Sequence, residues 1–113
     1  MSEPIQWQPI SMLPLAAQMI DEVHQSTQKQ RLNLEHAKRN PFLLDSHELA
    51  RMERAYTDQL ETLSLFQQQC ERWLTDNTHP DTETKLLETM ERLFEMDKMT
   101  RDVLEKLKYF IGI

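Results

Sequence analysis

The chain has 113 residues, of which 39% are hydrophobic and 28% charged, with a net charge of −6 and one glycine, Gly112. A chain of average composition this long would hold roughly eight glycines. The deficit excludes dinucleotide fingerprints, Walker loops, nucleophile elbows and EF-hand loops, all of which need glycine at a tight turn or close to a ligand.

Val and Ile total 7 against 23 Leu plus Met, a bias away from strands and toward helix. No apolar run approaches the ~18 residues of a membrane span. The first twenty residues have an early acid and no basic stretch, so no secretory signal is expected. The single cysteine, Cys70, cannot form an internal disulfide and fits a reducing, cytoplasmic setting. Acids and bases balance over residues 1–40, while residues 41–79 carry −4 and residues 80–113 carry −2. Nowhere do bases form a concentrated stripe, so neither nucleic acid nor membrane is expected as a partner.

The first segment, Glu3-Pro4-Ile5-Gln6-Trp7-Gln8-Pro9-Ile10, has prolines at both ends and is expected as an extended arm over residues 1–10. Its Trp7 is expected to tuck over one end of the fold or to anchor a partner. A helix is expected near 12–39, with Ser11 as N-cap, Pro14 in the first turn, and Ile10 and Leu15 at staple positions. Asn40-Pro41 stops it, with Lys38 and Arg39 at its negative end. The second helix is expected near 46–76: Asp45 precedes Glu48 by three residues in an acidic capping box, flanked by Leu44 and Leu49. The third is expected near 81–111, after Asn77-Thr78-His79-Pro80, with Thr78, His79 or Asp81 as its cap.

Apolar spacing joins these helices into one all-α domain, 1–113, an antiparallel up-down-up three-helix bundle with coiled-coil-like seams. The expected seams are Ala16, Ile20, Val23, Thr27, Gln30, Leu34 and Ala37 on the first helix. On the second they are Leu49, Met52, Tyr56, Gln59, Leu63, Phe66, Cys70 and Trp73. On the third they are Leu86, Met90, Leu93, Asp97, Thr100, Leu104, Leu107 and Ile111.

Two features of the pattern bear on function. Helix three looks too broad for two neighbours, because Met96, Val103 and Phe110 extend its stripe one way and Leu87 and Phe94 the other. With Leu32, Leu65 and Trp7, these residues form the expected interaction surface, and self-association as a homodimer is expected through it. In addition, Thr27, Gln30, Gln59, Asp97 and Thr100 fall within about one helical turn of a common height. They form an expected buried polar layer that fixes register, with Arg101 as the nearest cation to Asp97.

No catalytic constellation, cofactor site or metal site is expected. Asp21 and His24 have the i,i+3 spacing of a bundle metal motif but lack the second pair and further carboxylates that a di-metal site needs. Cys70 lies on a seam, where burial would dull its thiol. The expected function is therefore a protein–protein interaction or accessory module. The alternative is a ligand- or ion-binding bundle centred on the polar layer.

Overall fold

The computed structural model describes residues 7–40, 44–76 and 79–111. The expected features at Glu3 to Gln6, Pro41, Asn77, Thr78 and Gly112 lie outside the described residues. Three helices form an up-down-up bundle: α1, Leu13–Ala37; α2, Ser46–Asp76; and α3, Pro80–Ile111.

The helix ends follow local chemistry. A single 3-10 turn, Ile10–Met12, leads into α1, so the N-cap is Met12 and no side chain caps it. Ser11 lies inside that turn and is not the cap expected of it. Pro14 does occupy the first turn, where its missing N–H leaves no bond unmade. At α2, the Glu48 N–H donates to Asp45 Oδ1 at 2.7 Å, completing the acidic cap. Leu44 packs against the cluster that buries Leu49. At α3, Pro80 is the first helical residue, and the Glu83 N–H donates to the His79 carbonyl at 2.9 Å.

α3 is the central helix. Both α1 and α2 pack along it, whereas the backbones of α1 and α2 meet at no more than an isolated point. This explains the breadth of its apolar stripe, because one helix must cover two neighbours.

The α3 seam differs from the expected one in phase. The buried residues are Leu86, Thr89, Leu93, Met96, Thr100, Val103, Leu107 and Phe110. The row Leu86, Leu93, Thr100, Leu107 is common to both readings. The second row is Thr89, Met96, Val103 and Phe110, not Met90, Asp97, Leu104 and Ile111. Rotating α3 by one residue moves Asp97 to the bundle's edge and Met96 to its interior.

The interior has two apolar clusters. One holds Leu13, Ile20, Leu63, Trp73, Leu86 and Met96, with neighbours on all three helices. The other holds Leu34, Ala37, Leu49, Val103, Leu107 and Phe110. Along one flank, α1 and α3 run parallel with paired charges. Arg92 meets Asp21 at 3.4 Å, Glu95 meets His24 at 3.9 Å, Asp102 meets Arg31 at 4.0 Å, and Lys106 meets Glu35 at 3.1 Å. Each α3 partner lies 71 positions after its α1 partner, so one register satisfies every pair. Ion pairs whose carboxylates stand in solvent are screened and contribute little to stability. The apolar seam carries the stability.

Candidate functional site

The expected polar layer exists in reduced form, between the two apolar clusters. Gln59 Nε2 on α2 donates to Thr27 Oγ1 on α1 at 3.0 Å and to Thr100 Oγ1 on α3 at 2.8 Å. The Thr100 hydroxyl donates in turn to the Met96 carbonyl at 2.7 Å. Thr27 and Thr100 are fully buried, and both amide hydrogens of Gln59 are used inside the bundle.

Two residues expected in this layer stand outside it. Gln30 reaches Met52 Sδ at 3.8 Å instead. Asp97 is partly exposed and accepts from Arg101 Nε at 2.9 Å, one helical turn along the surface.

The expected interaction surface divides into two sets. Met96, Val103 and Phe110 are buried within the protomer's own core, so they present no surface. Leu32, Leu65, Leu87 and Phe94 are exposed. Leu87 and Phe94 share the outer face of α3, and the Lys98 ammonium lies 4.6 Å from the Phe94 ring centre. Leu32 and Leu65 stand singly on separate helices, an ordinary surface pattern.

The described part of the arm, from Trp7 onward, packs on its own bundle. The Gln8 N–H donates to Gln69 Oε1 at 2.6 Å, and Trp73 Nε1 donates to the Gln8 carbonyl at 2.7 Å. Trp7 is half-buried under the Arg72 guanidinium, 4.5 Å from the ring centre. The two hydrogen bonds tie the chain entering α1 to the last turns of α2. They close that end of the space between the two helices.

The α1 and α2 backbones stand apart, and a groove of about 300 Å³ lies between them. Met19 and Val23 form its α1 wall, and Ala55, Thr62 and Phe66 its α2 wall. Ile20, Leu63 and Met96 reach its floor from the core. Among the described residues, Asp58 is the one charged side chain lining it. Leu15, Met19 and Val23 follow one another at i,i+4 spacing and are between 37% and 49% exposed. This places a second, partly exposed apolar row on α1, beside its buried seam.

The groove was not anticipated from the sequence, although its signal was present. Seam spacing alone places Val23 in the core, and the i,i+4 row of Leu15, Met19 and Val23 crosses that seam assignment.

Cys70 is fully buried beside the Trp73 end of the core. Burial, with the nearby Glu71 carboxylate adding to it, pushes the thiol up to about 11 from 9.0. The folded thiol is therefore expected to resist alkylation at neutral pH and to react only as the chain unfolds. The stability consequence follows from linkage. Between pH 9.0 and about 11 the unfolded chain has lost the Cys70 proton while the folded one keeps it. Stability should therefore fall through that window. Denaturant midpoints measured on either side of it should show a steeper fall for the native sequence than for Cys70→Val.

Among the described residues, no three His, Cys, Asp or Glu side chains converge as a metal would require. Asp21 and His24 each turn to α3, toward Arg92 and Glu95 respectively.

Comparison of the chain with protein-family models, with curated proteins and with solved structures finds no match in any of the three.

Proposed function

We propose that the protein is an interaction module whose receptor surface is the groove between α1 and α2. One observation carries this reading. Met19 and Val23 line a groove floored by the core, Leu15 continues their row one turn earlier on α1, and no described residue covers them. A soluble helix gains nothing for its own fold from exposed apolar side chains in a row, whereas a docked partner would bury them. The surface for self-association expected on α3 has lost three of its members to the core. The α1 row takes its place as the leading contact surface.

The test is capture from the native cell with three baits: the native sequence, Met19→Gln/Val23→Gln, and Leu32→Gln. Leu32 is exposed on the opposite side of α1 and serves as the control. A stoichiometric partner is expected with the native and Leu32→Gln baits and should be lost with the double variant, all three melting alike. Equal recovery by all three baits would remove the groove from the binding surface.

A further inference from the structure

We infer that the groove's occupant is a short amphipathic helix with basic residues flanking its apolar face, supplied by a different protein. This inference rests on the groove being a receptor and adds the chemistry of what it receives.

Length comes first. The arm closes one end through the Gln8–Gln69 and Trp73–Gln8 hydrogen bonds. The Thr27–Gln59 bond crosses from α1 to α2 beyond Val23 and limits the other end at floor level, while Ala55 carries the α2 wall one turn past Gln59. From Met19 to Thr27 is about 12 Å of helix axis at ~1.5 Å per residue. An opening of that length accepts about two turns of a crossing helix, presenting apolar anchors at i, i+3 or i+4, and i+7. It is too short to seat a long helix side by side.

Charge then selects the occupant. Asp58 lines the groove, and no lysine or arginine does so among the described residues. Glu22 stands three residues after Met19, and Glu61 three after Asp58, both exposed. Helical periodicity puts each on the flank next to its partner position. The apolar opening is thus edged by Glu22 on one side and by Asp58 and Glu61 on the other, with Arg54 one turn before Asp58 at the Ala55 end. A second copy docking groove to groove would bring the same three carboxylates against these, on a chain already carrying −6. A helix with Lys or Arg on its flanks meets them with opposite charge. Its apolar anchors cover Met19, Val23 and Phe66.

The experiment uses two dye-labelled helical peptides with the same Leu anchors at i, i+4 and i+7, one with Lys flanks and one with Glu flanks. Binding to the full-length protein is read by fluorescence anisotropy. The Lys-flanked peptide is expected to bind at least about ten-fold tighter than the Glu-flanked one, with the preference shrinking as salt rises. Asp58→Asn should narrow that preference several-fold, and Met19→Gln/Val23→Gln should abolish binding of both.

Equal binding of the two peptides, both lost in the double variant, would overturn the basic helix and leave the groove a receptor. Absence of peptide binding, with concentration-dependent dimers that the double variant abolishes, would identify a second copy as the occupant and overturn the inference. Absence of both, with the double variant indistinguishable from the native chain, would overturn the inference and the receptor reading together.

Discussion

Truncating Met96 to alanine is expected to cost about 2–5 kcal/mol of folding stability. The same truncation at its neighbour Asp97 should change stability by no more than about 0.5 kcal/mol. Met96 is fully buried and touches the cluster shared by all three helices, so its removal leaves a cavity that the packed walls cannot close. Asp97 loses only the surface pair with Arg101, of a kind measured at about 0.3–0.5 kcal/mol on helices. Urea denaturation of the two variants, compared at fixed slope, reads the difference directly. The result fixes the rotation of α3, because the two positions belong to the two competing seam rows. A larger loss at Asp97 than at Met96 would turn α3 back to the other row.

The residues that were legible in the sequence and those that were not differ for a physical reason. Helix number and order, and the Asp45 cap, follow from local rules that act within a few residues, and the structure agrees at each. The phase of α3 does not. Leu86, Leu93, Thr100 and Leu107 fit either alternation of threes and fours, so the choice falls to the second row. Met90 and Leu104 make one row nearly as apolar as Met96 and Val103 make the other, and both of the former are half-buried. Only the position of α1 and α2 around α3 decides between them, and that is a tertiary fact.

The same limit hid the groove. In a bundle whose helices all touch, Val23 would be a seam residue like Ile20. Here the separation of α1 from α2 leaves it at a mouth. The Gln59 layer was readable because three polar residues at one height on three seams are a coincidence that packing must resolve. Asp97 shares that height but lies one residue out of phase, on the α3 flank with Arg101.

Replacing Gln59 by leucine is expected to destabilise the bundle by about 1–3 kcal/mol, even though a larger apolar surface is then available at that position. The cost lies in what the substitution leaves behind. Thr100 keeps its bond to the Met96 carbonyl, but Thr27 Oγ1, fully buried, loses the donor it accepts from. Converting all three members, Thr27→Val/Gln59→Leu/Thr100→Val, should restore stability to the native level or above it, because no buried polar atom is then abandoned. The reversal from single to triple variant separates a hydrogen-bonded layer from a packing effect, since bulk alone would make the triple variant no better than the single.

What the triple variant should lose is uniqueness. Once the layer is apolar, the clusters on either side of it merge into one uninterrupted seam, whereas the Thr27–Gln59–Thr100 set is satisfied in one alignment only. Narrow amide resonances in the native protein, against broadened or doubled ones in a triple variant of equal or greater stability, would assign the layer to register. Sharp, single resonances in both would assign alignment instead to the charge pairs that link α1 to α3 at their constant spacing of 71 positions.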